Sequence, residues 1–551
     1  MRTLQRAVAV LIYPAIVCLG VACERTDTPT GARPPVGALL LSNDPTTRWV
    51  NDDDPNGGGY ADPNPGTSCN NPGYATVQAA VNAAGPGDRI NVCPGTYNEQ
   101  VIISGSGKNN IQLRSTKQWA AVIKAPMVMV PDLADNGFFT ILRISGAQNV
   151  TILAFTITGP GPGYCGSLHY GVRVDDEGSA DILGNHITDI RDQYRPPTDP
   201  FAGQPSGCQN GMGVVVGGHF NDVVFSTGSA RIEGNLVDKY QKNGVVVGGS
   251  GSSAVIVANR VFGFGPTSGI GQNGIEVLQE ATAEVKHNFS SGHIYIPQTV
   301  APVGVLLIFA GTVDINHNTV AQNDIDVYAS ASLAPGSLTR NRTRSSTFDG
   351  IVVDATNNTT VGQNHTEQNG GPGIGLYDGA AGNTLEGNQI ERNSNNFSST
   401  TTDFGGGILL HNASNNTVRD NHIRKNGTLN GSDNTDGIRV NDPSTANSIQ
   451  GNHLRGNVEH DCHDATTPGT NTWADNHGQT SSPMGLCDPD PQDDFAVAAG
   501  WDPSYPWYSS YDGLATDYDW PSLYSAIDAQ IQGLLDLLHQ LGVGGVRRPS
   551  P

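Results

Sequence analysis

One short phrase recurs along this chain and limits what it can become: an aliphatic residue, two variable residues, an asparagine, and a second aliphatic residue two positions on. It reads Ile182-Leu183-Gly184-Asn185-His186-Ile187, then Ile232-Glu233-Gly234-Asn235-Leu236-Val237, and again Leu385-Glu386-Gly387-Asn388-Gln389-Ile390. Val418 to Ile423 repeats it around Asn421 and Ile449 to Leu454 around Asn452, with weaker copies at Asn259, Asn288, Asn318, Asn341, Asn364 and Asn476. From Asn235 onward the steps are 24, 29, 30, 23, 23, 24, 33, 31 and 24 residues. A period in the low twenties, lengthened in places, predicts a solenoid whose coils carry inserted loops.

Between the asparagines runs a second phrase, glycine followed by alternating aliphatics, as in Gly171-Val172-Arg173-Val174, Gly244-Val245-Val246-Val247 and Gly437-Ile438-Arg439-Val440. Alternation in β-branched residues bounded by Gly and Asn is a strand signal. The expected fold class is therefore all-β: two or three short parallel strands per coil, each stacked ~4.8 Å from its counterpart. Asparagine suits the bend, since it tolerates the left-handed backbone region and its amide can form ladders between coils. In these features residues 74–487 resemble the right-handed parallel β-helix superfamily, which includes pectate lyases and polygalacturonases. The resemblance implies the fold, and polysaccharide chemistry only by analogy.

Glycine is abundant (69 of 551 residues), charged residues make up 15%, and the net charge is −22. Such a composition alone would suggest disorder; the periodicity overrules it, because each coil needs to pack only on its neighbours. The acidic balance argues against a nucleic-acid partner. Arg2 and Arg6 precede an apolar run from Ala7 to Ala22, read as an export signal over residues 1–23. Leu19-Gly20-Val21-Ala22-Cys23 resembles a bacterial lipobox with Cys23 as the lipidated residue, although Gly20 stands where that motif usually carries leucine. An outer-membrane lipoprotein and a freely secreted or periplasmic protein both remain open. Residues 24–46 read as a tether, residues 47–487 as the solenoid and residues 488–551 as an acidic aromatic tail. A monomer is expected, touching membrane only through the lipid.

Six further cysteines fall into local pairs, Cys69 with Cys93, Cys165 with Cys208, and Cys462 with Cys487, each bracketing a region that lacks the repeat. An oxidising compartment makes structural disulfides in these local pairs the expected role, while spacing alone does not exclude other pairings. Ala75 to Ala84 places Val77, Ala80, Val81 and Ala84 on one helical face, and the strand that follows, Pro94-Gly95-Thr96-Tyr97-Asn98-Glu99-Gln100-Val101-Ile102-Ile103, resembles the opening coil of secreted β-helix proteins. A helix there would cover the open end of the solenoid. In the tail, an apolar stripe from Leu523 to Leu541 predicts a second, C-terminal helix.

Aligning the strands on Val172, Ile275, Val305, Ile325, Ile351, Ile374, Ile408 and Ile438 puts the residues one and three positions later on the solvent face. The rows are then Arg173, Glu276, Leu306, Asp326, Val352, Gly375, Leu409, Arg439 and Asp175, Leu278, Ile308, Tyr328, Asp354, Tyr377, His411, Asn441. Asp354, Asp378 and His411 become the candidate catalytic group, and Glu276, Asp326, Tyr328, Tyr377, Arg439 and Asp442 the candidate substrate contacts. Paired carboxylates suit glycoside hydrolysis. Alternatively they could hold Ca²⁺ against a uronate carboxyl while His411 removes a proton. Beside the asparagine ladder, His422, His453 and His477 come from successive coils and could bind a transition metal, an idea supported by resemblance to β-helix proteins of periplasmic copper delivery.

Asn434-Thr435-Asp436-Gly437 is similar to the polygalacturonase N-T-D-G segment, with Asp461 following, but the later G-H-G and R-I-K segments have no match, so that activity is not implied. The leading function is binding or cleavage, by lyase or hydrolase chemistry, of a linear extracellular or cell-wall polysaccharide. A non-catalytic surface spacer or adhesin and an envelope metal-handling protein are the alternatives.

Overall fold

The computed structural model describes residues 45–53, 65–199, 202–218, 226–332, 336–394, 405–427 and 435–489. The export signal with Cys23, nearly all of the tether and the aromatic tail with its expected helix lie outside the described residues. The chain winds through three long sheets in turn. The first has 15 strands, the second 13 and the third 14. Every pairing within them is parallel, coil upon coil. The first coil uses Arg89–Val92, Gly95–Asn98 and Val101–Ser104; the second uses Gln112–Ser115, Ala121–Lys124 and Thr140–Ser145.

Inward-facing aliphatics stack in columns. On the first sheet Ile152, Ile182, Ile232, Ile256, Val285 and Ile315 follow one another in register, all fully buried. Each contributes ~1.5–3 kcal/mol of burial, and the column explains why the repeat demands an aliphatic residue at that position. Helix Val77–Ala83, capped by the Thr76 hydroxyl on the Ala79 N–H at 3.2 Å, buries Val77, Ala80 and Val81 and contacts the opening strands. The three disulfides pair as expected, with Cα separations of 5.7, 5.7 and 6.1 Å.

The repeating asparagines form a continuous ladder between the first and second sheets. Asn364 shows the pattern. Its side-chain amide donates to the Leu338 carbonyl at 2.7 Å and to Asn388 Oδ1 at 3.0 Å, while its own Oδ1 accepts from the backbone N–H (2.9 Å) and the amide (3.1 Å) of Asn341. Every polar hydrogen of a buried side chain is thus used, which is what makes burial tolerable. The left-handed bend, however, belongs to the preceding residue and not to the asparagine. Gly184, Ala258, His287, Gln363 and Gly451 have φ of 59°, 55°, 56°, 55° and 63°. Asparagine is selected for its amide alone.

Two further ladders flank the first in the later coils. Asn369, Asn393, Asn426 and Asn457 stack at the next corner, and Asn383, Asn416, Asn447 and Asn471 at the corner before. Asp461 ends the former, accepting from Asn457 at 2.8 Å and from the Gln479 N–H at 2.8 Å.

The outer face of the third sheet departs from expectation in two ways. Its register aligns Val327, not Ile325, with Ile351, so the rows run Glu276–Leu306–Tyr328–Val352–Gly375–Leu409–Arg439 and Leu278–Ile308–Ser330–Asp354–Tyr377–His411–Asn441. A slip of two residues keeps every side chain on its face, so alternation cannot detect it. The face is also largely sealed. Leu306, Tyr328, Val352, Tyr377 and Leu409 join Phe348 in an apolar cluster, and Tyr170, Val215, Val246 and Leu278 form another with Met212. Earlier still, Arg143 and Arg173 are buried in ion pairs with Asp132, Asp135 and Asp175.

Candidate active site

Polar, titratable groups converge where this sealed face gives out, near the C-terminal end of the solenoid. Strand Thr435–Asn441 lies beside strand Cys462–Asp464, pairing Arg439 with His463. Gly437 presses against the next coil so closely that a Cβ there would stand 2.5 Å from the Asp461 carbonyl. Its neighbour Asp436 is fully buried beneath two histidines from the loop and strand that follow.

Asp436 holds four contacts. Oδ1 accepts from the backbone N–H of His460 and faces His460 Nδ1, both at 3.1 Å; Oδ2 faces His463 Nδ1 and Arg439 Nη1, both at 2.9 Å. Burial would raise the Asp436 carboxyl, but the hydrogen bond from His463 and the charges of His463 and Arg439 outweigh it, and the group sits below the usual carboxylate range. An ionised carboxylate can only accept, so each ring meets Asp436 as a donor when Nδ1 carries the proton, which leaves Nε2 as acceptor; Arg439 Nη1 also stands 3.1 Å from His463 Nδ1, a contact that only the other tautomer of His463 accepts. The rings meet edge to face, centroids 5.1 Å apart, and their side chains remain 28% and 15% exposed. Arg439 is buried and also donates to Asn441 Oδ1 at 2.8 Å. The arrangement resembles the inner part of an acid–base device: a buried carboxylate fixes the tautomer and stabilises an imidazolium when Nε2 takes a proton.

The residues expected from the sequence are distributed differently. Glu276, Asp326, Tyr328, Asp354, Tyr377 and Arg439 are buried rather than solvent-facing, because loop and neighbouring side chains cover the face that alternation marks as outward. Asp354 accepts from the Tyr328 hydroxyl at 2.7 Å and from Ser330 at 3.4 Å, and Tyr377 donates to buried Asp349 at 2.6 Å. Asp354 pairs in register with Tyr377, and Tyr377 with His411, so Asp378 falls one residue beyond the row, in a turn with φ 43°. His411 and Asp378 are half-buried and Asp442 is exposed. Asp436, His460 and His463 were absent from the expected set, although His460-Asp461-Cys462-His463 one coil after the N-T-D-G segment was a legible signal.

His422, His453 and His477 do stack in successive coils. Centroids are 5.3 Å apart at 10° and 5.0 Å apart at 34°. Near-parallel rings point their nitrogens side by side, whereas an ion needs them to converge at ~2.0–2.1 Å. Among the described residues, ligand atoms converge in two other groups, Asp436 with His460 and His463, and His365 with Glu367 and Glu391. Neither contains Asp354 or Asp378, and each already has arginine beside it: Arg439 in the first, Arg342, Arg392 and Arg424 in the second. A guanidinium there supplies the positive charge a metal would bring. A depression of about 540 Å³ lies on the outer face of the first sheet over Ser229, Arg231, Ser253 and Glu284. It is shallow and lacks the converging carboxylate and imidazoles found around Asp436.

Residues 213–397 and 303–477 match the family described as the right handed beta helix region. No curated protein matches the chain. Among solved structures, the catalytic unit of a thermostable GH87 alpha-1,3-glucanase from Streptomyces thermodiastaticus is 13% identical with a TM-score of 0.42, covering 82% of this chain and 70% of that one. The periplasmic alginate epimerase AlgG is 13% identical with a TM-score of 0.38, covering 70% and 78%. The A-module of the Azotobacter vinelandii mannuronan C-5 epimerase AlgE6 is 16% identical with a TM-score of 0.33, covering 74% and 94%.

Proposed function

We propose that this right-handed parallel β-helix protein is exported, binds a linear polysaccharide across the last coils of its third sheet, and transfers protons there through His460 and His463. The single observation that carries the reading is the buried, ionised Asp436 facing the Nδ1 atoms of two partly exposed imidazoles. His463 Nε2 takes a proton from the sugar or from water, and Asp436 stabilises the resulting imidazolium. Arg439 acts as a positioning residue, fixing Asp436 and His463 instead of touching substrate. His411 and Asp442 flank the group as polymer contacts, and Asp378 and Ca²⁺ add to binding where the polymer is acidic. The three disulfides support export, and Cys23 supplies the lipid anchor.

The test is incubation of the purified protein with neutral glycans and polyuronates, with and without Ca²⁺, following both reducing ends and unsaturated products. Turnover by the parent and its loss in His463→Ala, with binding kept, supports the reading. Binding without turnover reduces it to recognition. Neither binding nor turnover leaves the spacer reading, which the sealed middle of the third sheet favours.

A further inference from the structure

A different part of the molecule presents the opposite chemistry. In the second coil, residues 125–139 connect strand Ala121–Lys124 to strand Thr140–Ser145, and their tip reads Ala125-Pro126-Met127-Val128-Met129-Val130-Pro131 without a charge. Met127, Val128, Val130 and Leu133 are 84%, 80%, 67% and 87% exposed, while Met129 turns inward. Four large apolar side chains on one short loop are unusual for a chain of net charge −22.

The loop is held firmly. Val130 exchanges two hydrogen bonds with the Gln100 side chain, at 2.7 and 3.0 Å. Asp132 pairs with Arg143 at 2.8 Å, Asp135 with Arg173 at 3.0 Å, and Phe138 packs on His169 and Tyr170. Its apolar display is therefore ordered before any partner arrives, and little entropy is lost on docking.

We propose that this tip inserts into the interface of a lipid bilayer, laying the N-terminal end of the solenoid on the membrane. The loop is a protrusion, and lipid accepts a protrusion without a matching cavity. It also sits at the end where the chain emerges, since the first described strand, Thr47–Val50, pairs with the first coil. The 21 residues from 24 to 44 span at most about 70 Å, so a lipid on Cys23 would keep the tip within reach of the same bilayer. An acyl chain and an apolar insertion together make the two signals that stable anchoring takes. Acidic charge restricts the surface to zwitterionic lipid, with exposed Lys124 at the loop's base facing phosphate.

The experiment is flotation of the full chain with phosphatidylcholine vesicles, comparing the parent with Met127→Asp/Val128→Asp and with Met484→Asp, an exposed apolar position at the far end. The tip variant should lose partitioning on the order of 100-fold, the Met484 variant should match the parent, and adding anionic lipid should weaken the parent. In the Val128→Trp chain, brominated phosphatidylcholine should quench an added emission component. Equal flotation of parent and tip variant, or no quenching at position 128, overturns the proposal. So does light scattering in which the parent is a dimer and the tip variant a monomer, which would make the loop a contact between copies. All the altered side chains are exposed, so circular dichroism should be unchanged.

Discussion

Two sets of carboxyls on the third-sheet side of the solenoid are equally buried yet pushed in opposite directions from the usual carboxylate range. In the middle coils Asp324, Asp326 and Glu276 are all raised by burial, Asp324 to about 8. Asp326 is met by the Asn323 amide at 2.8 Å and the Arg344 backbone N–H at 2.7 Å, Asp324 by the Tyr295 N–H at 2.9 Å. Lys242 acts on Glu276, but desolvation exceeds its pull. At the C-terminal end Asp436 has Arg439 and two imidazoles, and they overcome the same penalty. Neutral donors make a buried carboxyl tolerable as an acid; cationic partners keep it ionised, and only the ionised form can hold two imidazoles as donors.

The largest expected effect breaks that contrast at its ionised end. Asp436→Asn should abolish turnover and destabilise the protein by ~3–5 kcal/mol, because the buried ion pair between Asp436 and Arg439 is broken from one side. Asp326→Asn, replacing a carboxyl that burial pushes well above the usual range and that neutral donors already meet, should change the urea midpoint little. Similar losses in the two variants would show that the partners do not set the difference.

Next in size is the ladder. Asn388→Ala removes a side chain that takes the amide of Asn364 and donates to Asn421 and to the Val361 carbonyl. At ~1–3 kcal/mol for each buried group left unsatisfied, a loss of about 3 kcal/mol in thermal or urea unfolding is expected. Asn388→Asp should be no better, since a carboxylate cannot donate to Asn421. An Ala variant as stable as the parent would mean that strand stacking alone sets the coil spacing.

These two regions were unequally legible. The repeat gave the solenoid because each coil needs an aliphatic residue in each column and an amide at the corner. The flanking ladders were also written in the chain, as asparagines five residues either side of the first: Asn383-Asn388-Asn393, Asn416-Asn421-Asn426, Asn447-Asn452-Asn457. The left-handed residue was misassigned because asparagine is good at both jobs. The site was harder. Alternation says which way a side chain points but not whether a loop covers it, so Tyr328, Asp354 and Tyr377 read as solvent-facing when they are sealed. Asp436, His460 and His463 lie 24 and 27 residues apart along the chain and meet only through coil stacking.

The contrast can be sharpened with pH. A carboxyl raised in the folded state favours folding in acid, and that contribution is lost as pH rises from the unfolded value, ~3.9, toward the folded one, about 8 for Asp324. Asp436 is lowered, so its contribution is present above ~4 and lost as pH falls through its folded value. Asp324→Asn should flatten the decline of melting temperature between pH about 5 and about 8, removing up to ~1.4 kcal/mol per pH unit. An unchanged slope would mean that Asp324 does not carry it.

The smallest effect concerns the stacked histidines. Burial, then the charges of His453 and Arg424, lowers His422. A histidine lowered in the folded state leaves stability intact above its unfolded value, ~6.5, and costs stability as pH falls below it. His453→Ala removes one repelling neighbour of His422 and two ring contacts, with His422 and with His477. At pH 8 the variant should lose on the order of 1 kcal/mol of ring packing; at pH 5 the deficit should shrink, because the neighbour that lowers His422 is gone. Isothermal titration with Cu²⁺ or Zn²⁺ separates this from a metal site. Near-parallel rings offer one nitrogen each to separate points, so the parent should take up metal weakly, with little change in the variant. A tight, saturable site that disappears with His453 would mean that the rings swing out of the stack to converge, and the corner would then be a ligand set rather than a packing device.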